Sequence, residues 1–199
     1  MRPATENSPT KAKLLDAAQK LILANGFVGT SVDEICKAAQ LTKGSFFHYF
    51  KSKEELGVEL LKRYCASGKE KFKKGCCEEE KDPLKRIYNF LDCLIEMAKQ
   101  NPHGCLLGGM SQELADSHPD IRSICAKGFK DMAEGMTDEF EKAKKIYAPK
   151  AGWNARGLAN HLVTLIQGSL LLGKVTHDKS FAEDSIWHFK DHLKHLFGK

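Results

Sequence analysis

Residues 30–53, TSVDEICKAAQLTKGSFFHYFKSK, decide how the rest of the chain is read. The first half places Val32, Ile35, Ala38 and Ala39 at the spacing of one helical face. Ser31 precedes that face and Glu34 follows three residues later, the reciprocal cap that satisfies free amides at a helix start. Gln40-Leu41 breaks the pattern. Thr42 then offers its hydroxyl as the cap of a second short helix, on which Phe46 and Phe50 share a face. Ser52 with Glu55 opens a third helix by the same device. Between residues 35 and 53 there is no Asp or Glu, whereas Lys37, Lys43, Lys51 and Lys53 are basic. Two short helices across a tight turn, the second in cationic surroundings, make an arrangement that fits a DNA major groove.

The rest of the composition sets broader limits. At 199 residues the chain can bury one substantial core or two smaller ones. The net charge of +5 suits an anionic partner, but the basic cluster in residues 35–53 says more than the total, because clustering makes a local field. The N-terminal MRPATENSPT lacks the apolar core of a secretion signal. The most apolar run, residues 162–173, is interrupted by Thr164, Gln167 and Ser169 and is too short to span a bilayer. A cytoplasmic protein with no membrane partner is expected. Seven cysteines, an odd number without regular spacing, fit reduced thiols rather than a disulfide framework.

Residues 1–8 read as an arm. Ser8-Pro9 supplies a cap and a first-turn proline to a helix with Leu14, Ala17, Ala18, Leu21 and Ile22 on one face, stopped at Gly26. Phe27 and Val28, with Leu56, Leu60 and Leu61 of the third helix of the stretch, supply a small core from which the reading helix projects. That third helix runs toward Lys74, charged in its distal half, and Gly75 is its expected end. Asp82-Pro83 starts a helix carrying Leu84, Ile87, Leu91, Leu94 and Ala98, which Asn101-Pro102 stops. The glycine-rich junction HGCLLGGMSQELAD turns helical in its later half, and residues 119–147 form a long helix through Ile121, Ile124, Phe129, Met132, Met136 and Phe140.

The last two helices, about residues 153–175 and 181–197, differ in character. The first is apolar over much of its circumference, and the second carries Ile186, Phe189, Leu193 and Leu196 as a stripe. A helix apolar on more than one side needs cover on more than one side. The pair reads as the seam of a homodimer, a four-helix bundle; the other reading is a fully internal pair. No segment alternates with a period of two, so the fold is all-α, with about nine helices.

The amphipathic first helix, Gly26-Phe27, Thr30-Ser31-Val32, Ile35-Cys36-Lys37-Ala38-Ala39, the run from Leu41 to Phe50, and Lys51-Ser52-Lys53-Glu54-Glu55-Leu56 together resemble the TetR family of transcriptional regulators. The resemblance implies residues 1–52 as a three-helix DNA-binding helix-turn-helix head and residues 53–199 as a helical effector-binding and dimerisation body. It further implies a homodimer on a palindromic operator in double-stranded DNA, most often a repressor released by a small-molecule or electrophile effector. Gln40 occupies a turn position where the family often has glycine, so a strained backbone angle is expected there. The competing reading is a helical small-molecule-binding protein or enzyme whose helix-turn-helix no longer reads DNA.

With Phe46 and Phe50 facing the core, Lys43, Gly44, Ser45, Phe47 and His48 lie on the exposed side of the reading helix. Lys43 can reach base acceptors or phosphate, Gly44 permits close backbone approach, and Phe47 can pack on a thymine methyl where the family more often has Tyr. Thr30, Ser31, Thr42, Tyr49 and Lys53 are phosphate candidates through hydroxyls, helix N-termini and charge. The alternative for Phe47 and Tyr49 is a place in the core.

In the body, Phe90, Leu94, Met110, Phe129 and Met132 offer an adaptable apolar surface, with His161 and Gln167 as polar anchors; at helical spacing the same residues serve equally as core. Cys105 lies in the Gly-Cys-Leu junction and reads either as a thiol sensor or as a small buried hydrophobe. Cys76-Cys77 is a vicinal pair in a charged segment, and Cys36, Cys65, Cys93 and Cys125 read as packing residues. His188, His192 and His195 share helical spacing but no metal-site motif supports them, so neither a metal nor another cofactor is expected. No phosphate-binding loop, dinucleotide fingerprint or telling carboxylate pair points to an enzyme.

Overall fold

Side-chain caps fix where the first helices begin. The computed structural model describes residues 8–76, 80–100 and 103–198, and among them are nine helices and no strand. Helix α1 (Pro9–Asn25) starts at Ser8, whose hydroxyl accepts from Thr10 N, and ends at Gly26, whose φ is 82°. Helix α2 (Val32–Ala39) carries the full reciprocal cap: Ser31 Oγ accepts from Glu34 N at 3.2 Å, and the Glu34 carboxylate accepts from Ser31 N at 2.7 Å. Gln40 closes α2 in the left-handed region at φ 56°, ψ 43°, the strained angle expected there. Helix α3 (Lys43–Tyr49) starts at Thr42, whose hydroxyl accepts from Ser45 N at 3.1 Å.

Helix α4 (Lys53–Cys76) differs from expectation in its cap. Glu55 N does donate to Ser52 Oγ at 3.3 Å, but the Glu55 carboxylate reaches past Ser52 and accepts from Lys51 N at 2.5 Å. The helix also continues one residue beyond Gly75. The remaining helices are α5 (Pro83–Gln100), α6 (Leu106–Leu114), α7 (Pro119–Tyr147), α8 (Ala155–Thr176) and α9 (Ser180–Phe197). The arm up to residue 7, Cys77 of the vicinal pair, and the Asn101-Pro102 stop lie outside the described residues.

The chain divides into two compact units. The head takes in residues up to Cys65 together with Leu106–Cys125, and so adds α6 and the start of α7 to the first helices. Leu14, Ala18, Ile35, Phe46, Leu56, Leu60 and Leu61 are 0% exposed in it, each such side chain contributing about 1.5–3 kcal/mol for the larger apolar groups. Phe27 joins this core at 2% exposure, lying so close to α4 that a Cβ on Gly57 would fall 2.8 Å from its ring. Val28 does not join it. The sequence pairs it with Phe27, yet Val28 is 70% exposed, in the turn that follows Phe27.

The body consists of Ala66–Cys105 and Ala126–Lys199. Its core gathers Leu84, Ile87, Leu91 and Ile95 of α5, Met136 and Phe140 of α7, Leu158, Leu162 and Ile166 of α8, and Ile186, Phe189, Leu193 and Phe197 of α9. A half-buried ion pair between Arg86 and Glu139 (2.6 Å) ties α5 to α7, and Lys190 pairs with Asp92 across α9 and α5. Tyr147 donates to Asp82 at 2.5 Å, which holds the end of α7 on the start of α5. Among the described residues no helix is long and apolar enough to cross a membrane.

Candidate nucleic-acid interface and sensing residues

The α3 surface follows from burying Phe46. With that ring at 0% exposure and Phe50 at 1%, the residues between them on the helix turn outward. Lys43, Gly44, Phe47 and His48 are exposed and Ser45 is half-buried. Phe47 is 56% exposed, so it is a surface aromatic rather than a core one. It packs edge-on against Phe46 at a centroid distance of 5.2 Å, which fixes the direction in which it projects. Tyr49 is half-buried, its hydroxyl 2.8 Å from Ser8 Oγ, so the start of α1 sets its orientation.

Lys43 is met by an acid that the acid-free stretch did not reveal. Its ammonium pairs with Asp33 on α2 at 2.8 Å, and that hydrogen bond raises the lysine pKa above its ordinary value. The Glu34 carboxylate is held below its ordinary value by bonds from the Ser31 amide and hydroxyl. Ser31 and Thr42 are both exposed at helix starts.

Two of the phosphate candidates sit differently. Thr30 is 1% exposed, and its hydroxyl donates to Gly26 O at 2.7 Å, so that hydroxyl braces the α1–α2 loop. Lys53 Nζ donates to Phe27 O at 3.0 Å and Thr30 O at 2.9 Å, and stands 4.6 Å from the centre of the Phe27 ring. The same loop is gripped from the other side by Glu113 of α6, which accepts from Phe27 N at 3.0 Å and Val28 N at 2.8 Å. No local pattern in the sequence marks Glu113, because its partners lie 86 and 85 residues away.

Cys36 is buried on α2, its thiol directed at Thr42 O (3.7 Å), and burial pushes its pKa up; it is a packing residue of the turn. Cys125 is also buried, and Cys65, Cys93 and Cys105 are half-buried. Cys105 follows Gly104, which has φ 86° and lies beside the side chain of Lys174: a Cβ there would be 3.8 Å from Lys174 Cδ.

The effector candidates do not all share one unit. Phe90 is buried in the body core, Leu94 is half-buried at its margin, and Phe129, Met132 and Gln167 are half-buried on α7 and α8. Met110 belongs to the head, 1% exposed, on the same side of Gly57 as Phe27. His161 is exposed on α8, with its ring 5.6 Å from that of Phe189 and 6.4 Å from that of His192. Among the described residues no group of three or more His, Cys, Asp or Glu side chains is placed to hold a metal. The body also holds a residue that periodicity did not single out, Tyr88, whose buried hydroxyl has no hydrogen-bond partner among the described residues.

Comparison with known proteins bears directly on this geometry. Residues 14–60 match the family described as bacterial regulatory proteins, tetR family, and residues 83–189 match the tetracyclin repressor-like C-terminal domain. The HTH-type transcriptional repressor NemR of Escherichia coli K12 is 28% identical over 193 residues, covering 96% of each chain. The transcriptional regulator AcuR of Cereibacter sphaeroides is 32% identical over 176 residues, which covers 87% of this chain and 80% of that protein. The crystal structure of reduced E. coli NemR superposes with a TM-score of 0.81 at 27% identity, covering 92% of this chain and 96% of that one. A regulatory protein TetR from Rhodobacter sphaeroides gives 0.82 at 25% identity, covering 96% and 100%. These relatives are regulators and not enzymes, and with both halves matched this chain belongs to the TetR family of transcriptional regulators.

Proposed function

We propose that this regulator is a homodimeric repressor whose two heads read a palindromic operator and let go when an effector acts on the body. The observation that carries the reading is the α3 surface: Lys43, Gly44, Phe47 and His48 stand in solvent on a helix fixed from behind by Phe46 and Phe50. Ser45, Phe47 and His48 meet base edges, Lys43 meets a base acceptor or a phosphate, and Gly44 lets the backbone approach. Ser31, Thr42 and Tyr49 meet phosphates, with Thr30 and Lys53 supporting the loop that leads into α2. Residues 1–52 carry the DNA-reading role and residues 53–199 the effector and dimer roles; the head as a packed unit draws on both.

Dimerisation is supported by an apolar surface left open on the last helices. Leu171, Leu172 and Val175 of α8 are 43%, 48% and 69% exposed, and Trp187 of α9 is 49% exposed. A second copy covers such a self-complementary patch most economically. The two α3 helices must then lie about 34–36 Å apart, or a multiple of it, to enter successive major grooves. An effector that binds better to another spacing lowers operator affinity by that difference.

For the effector, the half-buried Cys105 thiol in its Gly-Cys-Leu junction supports an electrophile or oxidant. The crystal structure of E. coli NemR, a relative, is designated its reduced form, which supports a redox-sensitive reading. Phe90, Leu94, Phe129 and Met132, with Gln167 and Tyr88 as polar contacts, fit a small apolar ligand as the second route. The test is fluorescence-anisotropy titration of the full chain against DNA from its own upstream region, before and after N-ethylmaleimide. Wild type binds in the nanomolar range and loses affinity on alkylation, and Cys105→Ser keeps it. Equal loss in Cys105→Ser removes that thiol as the sensor, and no preference for the upstream DNA over random DNA removes the operator reading.

A further inference from the structure

The loop between α1 and α2 has no regular backbone pairing of its own, yet most of its backbone polar groups are held. Thr30 N donates to Phe27 O at 3.3 Å and Thr30 Oγ1 to Gly26 O at 2.7 Å. Phe27 O also accepts from the Lys53 ammonium, which donates to Thr30 O as well. The amides of Phe27 and Val28 are taken by the two oxygens of Glu113, one each, at 3.0 and 2.8 Å. An ammonium thus grips the loop by its carbonyls and a carboxylate grips it by its amides. The fit at Gly26 is close: a Cβ there would lie 2.7 Å from Glu113 Oε1, so the carboxylate fills the space a side chain would need. The next residue after this braced segment is Ser31, the cap of α2.

We propose that Glu113 of α6 is a positioning residue for operator recognition: its carboxylate fixes the α1–α2 loop and thereby the angle at which Ser31 and the N-terminus of α2 meet the DNA backbone. This rests on the DNA-reading assignment above and extends it to a residue far outside the helix-turn-helix. Stability alone does not explain the contact. Val28 is 70% exposed and Glu113 itself is exposed, so water would satisfy the Val28 amide and the carboxylate if they parted; only the bond to the amide of Phe27, a residue 2% exposed, is sheltered. What the two-pronged bond adds is a fixed geometry. Charge alone also argues against a carboxylate here, since a negative group bonded to the amide three residues before a phosphate-facing cap repels DNA. Its placement is understandable only if the geometry matters more.

Those two effects have opposite signs, and this makes the test decisive. Glu113→Gln removes the charge and keeps the shape, but its NH2 group faces an amide donor and one of the two bonds is lost. Operator and random DNA are titrated with wild type and Glu113→Gln by anisotropy, and amide exchange at Phe27 and Val28 is followed by NMR. The expected result is an operator affinity lower by about tenfold with random-DNA affinity unchanged or slightly higher, and faster exchange at one or both amides. Thermal unfolding of the same samples separates positioning from instability, because a structural defect lowers operator and random-DNA binding together in proportion to the unfolded fraction. Equal or higher operator affinity in Glu113→Gln, or proportional loss on both DNAs, overturns the proposal and leaves the function intact. A wild type that does not distinguish operator from random DNA overturns both.

Discussion

Head and body bury similar side chains but fasten their helices in different ways. In the head, α1, α2 and α3 each begin at a hydroxyl that accepts from an amide inside the helix, and the loops between them are tied by Thr30, Lys53 and Glu113. In the body, α8 runs 22 residues and α5 and α9 18 each, and their alignment comes from a continuous apolar core with a few ion pairs at its edge. Short helices cannot hold themselves in water, so each needs its ends tied. The body's helix ends are tied as well, by Asp82 accepting from Leu84 N and Asn154 accepting from Gly157 N, but its longer helices gain more from side-chain burial. The shorter α2 and α3 depend more on their caps.

The contrast can be broken hardest in the head core. Phe46→Ala should cost about 3–5 kcal/mol and abolish DNA binding, while the body, with its own core, keeps its helices. Circular dichroism during denaturant unfolding, with a DNA titration, checks this; simultaneous loss of all helix would mean the two units unfold as one. Next in size is Leu172→Glu on the open face of α8. It should raise the dimer dissociation constant by about a hundredfold, roughly 2.7 kcal/mol, and leave each chain folded, as sedimentation velocity would show.

A smaller effect is expected from Lys43→Ala. Operator binding should weaken by several-fold and the slope of log affinity against log salt should fall by about one. An unchanged slope would mean that the Asp33 pairing persists in the complex and Lys43 touches no phosphate. The mildest change sharpens the comparison from the opposite side. Gln40→Gly should stabilise the head by about 0.5–1 kcal/mol by relieving the left-handed angle, an effect visible as a raised unfolding midpoint with unchanged operator sequence preference.

How much of this was legible in the sequence follows from the range of the signals. Ser31 with Glu34, Thr42 with Ser45, and the Phe46–Phe50 pair are contacts within one helical turn, and each formed where the spacing put it. The break at Gln40 was legible for the same reason, and its left-handed angle was what the resemblance to a family that often has glycine there implied. Val28, Thr30 and Lys53 were harder. Residue type marked Thr30 as a hydroxyl donor and Lys53 as a charge, but which way a loop side chain points depends on contacts to α4. Glu113 and the head location of Met110 were beyond reach, because periodicity shows which face of α6 is buried and not what it is buried against. In the body, the apolar pattern of α8 correctly marked excess hydrophobic surface, but the pattern alone does not separate a side turned inward from one left for another copy.

The discontinuity of the head has a consequence for biosynthesis. Its first 65 residues leave the ribosome well before α6, with the forty residues from Ala66 to Cys105 in between. At about 5–20 residues per second, that interval is about 2–8 s. During it, Phe27 is a large apolar group with part of its cover unmade, and the amides of Phe27 and Val28 have only water to bond. The head therefore comes off the ribosome first but matures late. A nascent chain interrupted before residue 113 carries the whole helix-turn-helix motif and still lacks the carboxylate that sets its loop. Completion of the head is in this way timed to the synthesis of α6.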